Sequence, residues 1–169
     1  MLYIFGGLPG TGKSTLARRL AREQQAMHLR IDIVEHSLRE IGSLKNGPEG
    51  YVVAYRLAAD NLRLGLRVIA DSVNPLPVTR SAWREVAIRA NTPFVEIEVI
   101  CSNPAEHRAR IEARTSEIDG MRLPTWNEVV RRDYEPWEDA QLVIDTAGKS
   151  VEQSAAALQR ALKCWKPDE

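Results

Sequence analysis

Cysteine is scarce in this chain: Cys101 and Cys164 are its two thiols, far apart and with no CxxC or ligand-like spacing. That excludes a disulfide framework and a cysteine-built metal site. Excess charge is missing as well, since 23 Lys and Arg balance 23 Asp and Glu. A neutral molecule is no electrostatic trap for nucleic acid or an anionic membrane. Aromatics are 6% of the residues, too few to suggest a platform for stacking bases. A charged-then-apolar leader, a long apolar run, internal repeats and low-complexity tracts are all absent. The expectation is a cytoplasmic protein without a membrane partner, folded as one domain over residues 1–169.

What is present has a clear rhythm. Apolar runs of strand length alternate with longer helical patterns, as in an α/β fold with a parallel sheet. Residues 2–5, 27–31, 68–71, 94–100 and 142–145 read as strands, the second ending at Asp32 and the third at Asp71. Residues 15–25, 33–41, 51–64, 77–90 and 104–114 read as helices, with a turn-rich stretch at 42–50. Gly65 is placed to close a helix. Thr125 with Glu128, and Ser150 with Gln153, form capping-box patterns that open two more. The polar stretch 115–124 is long for a connection in a compact domain, and such loops carry function as lids.

The strongest signal is Gly7-Leu8-Pro9-Gly10-Thr11-Gly12-Lys13-Ser14, a complete G-x-x-x-x-G-K-[ST] pattern between a buried strand and an amphipathic helix. Gly7, Gly10 and Gly12 let backbone N–H groups turn inward around a phosphate with no Cβ in the way. The helix that follows adds its positive end, bringing Thr11 and Thr15 into the same binding set. Lys13 is expected to reach the β- and γ-phosphates of ATP, and Ser14 to ligate Mg2+.

Two carboxylates and two arginines complete the candidate chemistry. Asp71, at the end of an apolar strand, stands where such proteins keep a carboxylate near magnesium; a turn or capping role is the alternative. Asp32 ends the preceding strand at the ligand crevice, where it would orient an acceptor hydroxyl and take its proton, or else cap the helix starting at Ile33. Arg110 and Arg114 are four apart, so on a helix they share one face leading into the lid. Arg110 would lie near the nucleotide, and Arg114 would swing onto the transferring phosphoryl group.

Lesser candidates are Arg39 and Arg80, either of which would touch acceptor or phosphate or simply sit at the surface, whereas Arg108 reads as solvated. Asp145-Thr146-Ala147-Gly148 matches a GTPase DxxG motif in letters, but no N-K-x-D motif accompanies it; it reads as the loop beside the nucleotide base. His28, His36 and His107 lack metal-ligand spacing, and surface or core roles suffice for them.

The runs GLPGTGKSTLARRLA, RIDIVEHSLRE, RVIADSVNPLPVTRSAW and NPAEHRARIEARTSE resemble the small P-loop kinase group. That group includes 5′-hydroxyl polynucleotide kinase, gluconate and shikimate kinases, chloramphenicol phosphotransferase and zeta toxins. The pattern looks nearest to the kinase domain of phage polynucleotide kinases. The resemblance implies a P-loop NTPase three-layer sandwich: a five-stranded parallel sheet in the order 2-3-1-4-5, with helices on both faces. It also implies that Asp32 activates the acceptor and that Arg110 and Arg114 serve the nucleotide and the transferring phosphate. Polynucleotide kinases carry two consecutive aspartates where this chain has Asp32 and Ile33, and this chain has no second, phosphatase domain. The expected function is an ATP-dependent phosphotransferase acting on a hydroxyl of a small-molecule acceptor. The alternatives are a 5′-hydroxyl polynucleotide kinase or toxin-like kinase, and a regulatory nucleotide-binding ATPase with no acceptor.

Overall fold

A computed structural model describes residues 1–42 and 48–166; residues 43–47, within the turn-rich stretch, lie outside the described residues. In chain order the elements are β1 (Leu2–Gly6), α1 (Lys13–Gln24), β2 (Met27–Arg30), α2 (Ile31–Glu40), α3 (Glu49–Arg63) and β3 (Val68–Asp71). Then come α4 (Pro77–Arg89), β4 (Phe94–Ile100), α5 (Pro104–Ala113), α6 (Trp126–Val130), β5 (Leu142–Asp145) and α7 (Val151–Cys164). The five strands are parallel in the order β2-β3-β1-β4-β5, as the resemblance implies.

Why the strands read as continuous apolar runs follows from the layers. Tyr3 and Phe5 of β1 face one core with Leu16 and Leu20 of α1 and Leu158 of α7. Leu2 and Ile4 face the other, with Ala54 and Ala58 of α3 and Trp83 of α4. Both faces of β1 are dry, so alternation disappears. Small residues on α3 bring that helix close to the sheet, and Trp83 fills the remaining volume edge-on to Tyr55.

Both capping boxes form as read, at Thr125–Glu128 and Ser150–Gln153, although α6 is only five residues long. Gly65 ends α3 with φ 81°. Three boundaries differ. Helix α1 starts at Lys13 rather than Thr15, because Gly12 itself takes the left-handed N-cap conformation. Strand β2 stops at Arg30, and Asp32 lies in the first turn of α2, neither a strand end nor a helix cap. Helix α5 stops at Ala113, leaving Arg114 extended with ψ 139°. The shared helical face expected for Arg110 and Arg114 is therefore not how they are arranged.

Among the described residues, no helix is long and apolar enough to cross a membrane. Trp137, on the segment before β5, seals the carboxyl end of β1: a Cβ built on Gly6 would fall 2.0 Å from its ring. Gly6→Ala should therefore cost about 1–3 kcal/mol of stability, as overpacking does. A urea midpoint equal to that of the parent protein would show that Trp137 is not seated there.

Candidate functional site

Parallel strands send their carboxyl ends to one edge, and the site grows from the loop that leaves β1 at that edge. Gly7 adopts φ 133°, and a Cβ there would meet the Val99 carbonyl at 2.2 Å. Its N–H donates to the Val73 carbonyl at 3.0 Å, which ties the loop to the segment after β3. Gly10, with φ 85°, passes so close to Ile111 of α5 that a side chain would collide. His107 of α5 holds the Pro9 carbonyl at 2.7 Å. Thr11 turns its hydroxyl back onto the Leu8 carbonyl, and its own carbonyl is met by Thr146 Oγ1 at 2.8 Å. The loop is thus braced from outside before any phosphate arrives.

At the start of α1 the chemistry concentrates. The register sets Phe5 beside Asp71, so the β3 carboxylate stands level with the mouth of β1. Lys13 Nζ donates to Asp71 Oδ1 at 2.8 Å, and Ser14 Oγ lies 3.1 Å from the same oxygen. His28 Nε2 sits 3.1 Å from Asp71 Oδ2. Asp71 is only 1% exposed and Lys13 7%. Burial pushes the Asp71 carboxyl up, but the Lys13 ammonium and the His28 and Lys13 hydrogen bonds outweigh it and hold it below the usual carboxylate range.

This cluster opens onto a cleft of about 1160 Å³. Leu8, Gly10, Gly12, Lys13, Ser14 and Thr15 form its floor. Arg110 lines the cleft on α5, its guanidinium donating to Thr146 Oγ1 at 2.8 Å, the Thr146 carbonyl at 2.9 Å and Glu106 Oε1 at 2.6 Å. Asp32 lines the opposite side on α2, with Arg30 Nη2 3.6 Å from its carboxylate. Arg114 lines the cleft where α5 gives way to the 115–124 segment, and its guanidinium makes no ion pair among the described residues. That segment forms the roof, with Glu117, Met121 and Leu123 among its lining residues.

The structure therefore brings Gly10, Gly12, Lys13, Ser14, Thr15, Asp32, Arg110 and Arg114 to one cleft. Gly7 and Thr11 shape the loop from behind, and Asp71 acts through Lys13 and Ser14 rather than lining the opening. Arg80 is not at the site. It is buried under Tyr134 and Trp137 and spends its donors on the carbonyls of Asn74, Pro75, Glu135 and Pro136. Arg39 does line the cleft but is exposed and paired with Glu35 one turn away. The sequence reading missed His28 and His107, treated there as surface or core residues. It also missed Arg18 and Arg30, which hold Glu117 of the roof. Polar residues at alternate positions 28 and 30 of an otherwise apolar strand were the available signal.

Comparison with known proteins agrees with this architecture. Residues 2–132 match the family described as AAA domain. A protein of Aeropyrum pernix named "Probable adenylyl-sulfate kinase" is 28% identical over 174 residues, covering 93% of this chain and 89% of that protein. An uncharacterized protein of Mycobacterium tuberculosis is 34% identical over 87% of this chain, which spans 32% of that longer protein. Among solved structures, the adenylyl-sulfate (APS) kinase CysC of Mycobacterium tuberculosis, in complex with AMPPNP and APS, superposes with a TM-score of 0.65. That match has 20% identity and covers 96% of each chain, a likeness of fold.

Removing one partner of a buried ion pair strands the other. Asp71→Asn should therefore destabilise the nucleotide-free protein by about 3–5 kcal/mol, and adding Lys13→Met should recover most of that loss. Because pairing lowers the folded-state pKa, this stabilisation is complete above the unfolded carboxyl's value of about 4 and is lost as pH falls further. Urea melts of the four proteins at pH 7 and pH 3 test the scheme; a single Asp71→Asn variant as stable as its parent at pH 7 would refute the pairing.

Proposed function

The chain belongs to the AAA domain family and is a P-loop kinase, and on that premise we propose that it moves the γ-phosphate of ATP to a hydroxyl of a small-molecule acceptor bound between Asp32 and the roof. The observation that carries this reading is the Lys13–Asp71–Ser14 cluster at the amino end of α1, open to a cleft that Asp32 and Arg114 also line. ATP with Mg2+ supplies the phosphoryl group and neutralises its charge.

The residues present fit that ligand. Glycines at Gly7 and Gly10 leave no room for a Cβ, so the loop backbone is free to close on phosphate oxygens. Ser14 and Asp71 offer hard oxygen donors, and among the described residues no cluster of three or more His, Cys, Asp or Glu forms a dedicated metal cage. Magnesium suits such a site, since it is held by one or two protein oxygens together with phosphates and water.

In this reading Lys13 leaves Asp71 in part to meet the β- and γ-phosphates, staying within reach of both. Asp32 orients the acceptor hydroxyl and takes its proton. A carboxylate suffices because the loose transition state rewards positioning more than early deprotonation. Arg110 fixes the nucleotide side through Thr146, and the unpaired guanidinium of Arg114 reaches the transferring group. The 115–124 roof excludes water from the transfer. The aromatics favour a small acceptor over a polynucleotide: Trp83 and Trp137 are buried in the core, the half-buried Trp126 and Trp165 pack against His107 and the core, and the residues lining the cleft include no Trp, Tyr or Phe on which bases could stack.

A screen of hydroxyl compounds for acceptor-dependent ADP release tests the reading; ATP turnover that no compound stimulates would refute it. Lys13→Ala should abolish turnover. Asp32→Asn should retain ATP binding while lowering transfer by about 10²–10⁴-fold, and unchanged transfer would remove Asp32 from the mechanism. Arg114→Ala should lower kcat by about 10³-fold or more; a loss confined to ATP affinity would contradict its assignment.

A further inference from the structure

On this wall of the cleft Arg39 is neutralised along its own helix by Glu35. Arg30 is different. It ends β2 at the sheet edge, is 7% exposed and lines the cleft, yet its buried Nε–H has no partner among the described residues. Among those residues its fork makes one hydrogen bond, from Nη1 to Glu117 Oε2 at 3.2 Å, and Nη2 stays 3.6 Å from Asp32. A planar fork with five donors, desolvated and so sparsely satisfied, is built for an oxyanion that meets it side-on.

The group that now takes that place comes from the roof. Glu117 lies on the irregular 115–124 segment, is 58% exposed, and bridges Arg30 to Arg18 of α1, which grips both its oxygens. A pair whose acid is mostly in water contributes little and is readily exchanged. A buried guanidinium, in contrast, cannot be left without a counter-charge. The arrangement is a carboxylate standing in for a ligand.

We propose that Arg30, together with Arg18, is the acceptor's anion subsite, and that Glu117 occupies it until an acceptor bearing a carboxylate, sulfate or phosphate group displaces it. This rests on the kinase reading above and narrows its substrate class. Arg30 lies close enough to Asp32 for one small molecule to place its anion on the guanidinium and its hydroxyl on the carboxylate. Displacing Glu117 also removes one of the roof's two ties to this wall, the other being His36 to the Asp119 carbonyl, so acceptor entry and roof movement are coupled. Acceptors without an anion leave the latch shut.

The test uses the full chain saturated with Mg·AMPPNP, so that the phosphate loop is filled, and titrates sodium sulfate at constant ionic strength. Arginine Nε–H resonances report binding. Glu117→Gln should bind sulfate about tenfold more tightly than the parent, and Arg30→Gln about tenfold more weakly, the range expected for a charged hydrogen bond. Arg30→Lys keeps the buried charge without the fork, and should also bind weakly if Arg30→Gln fails to fold. Equal sulfate affinity in all variants, or no binding in any, overturns the subsite. Matched acceptors then separate the sources of the anion: a hydroxy acid against its amide, and a sugar phosphate against its free sugar. Turnover of the anionic members, with KM lowered by Glu117→Gln, supports the proposal. Sulfate that stimulates turnover of a neutral member would make this a free-anion site and overturn the acceptor assignment. If no compound is phosphorylated, the kinase reading fails while the sulfate titration still decides the subsite.

Discussion

The rest of this molecule is arranged around one buried ion pair, Lys13 with Asp71. An ammonium and a carboxylate taken out of water gain little net stability from each other, because desolvation offsets the attraction. What the pair provides is position. It requires β3 beside β1, with Asp71 level with Phe5, and it requires α1 to begin immediately after the glycine loop. The loop that leads into α1 passes so close to Val99 and Ile111 that Gly7 and Gly10 have no room for a Cβ. His28 on Asp71 Oδ2 and Ser14 on Oδ1 leave that carboxylate a single orientation.

The two sides of the cleft are built to different standards. The side formed by the glycine loop and α5 is cross-braced by buried or half-buried contacts: His107 to Pro9, Thr146 to Thr11, and Arg110 to Thr146. These link the loop, α5 and the turn after β5 into one unit, the kind of rigid support that positions reacting groups. The opposite wall is α2 and the roof, joined by Glu117 to its arginines and by His36 to the Asp119 carbonyl. Glu117 itself is mostly exposed, so its ion pairs are the more easily exchanged.

How much of this was legible follows the same division. Glycines at 7, 10 and 12 followed by Lys13 and Ser14 specify local backbone chemistry, and local chemistry is written in consecutive residues. The sheet rhythm was equally plain because β1 and β3 are dry on both faces. Boundaries at Asp32 and Arg114 misled because α2 starts directly after Arg30 with no side-chain cap, and α5 ends at Ala113 with no glycine to mark it. Arg80 looked like a ligand contact, but its neighbours Tyr134, Glu135, Pro136 and Trp137 come from more than fifty positions away. Arg18 and Glu117 were unreadable for the same reason, each taking its role from a distant partner, and His28 showed only as a polar residue in an apolar strand.

Everything in the functional account requires that the braced loop accept a triphosphate on its backbone amides. Hydrogen exchange at residues 7–15, measured with and without Mg·AMPPNP, tests that most directly. The account predicts amides from Gly10 to Thr15 that exchange readily in the free protein and become strongly protected with nucleotide, with the effect lost in Lys13→Ala. Exchange in this loop that is indifferent to Mg·AMPPNP at millimolar concentration would contradict it.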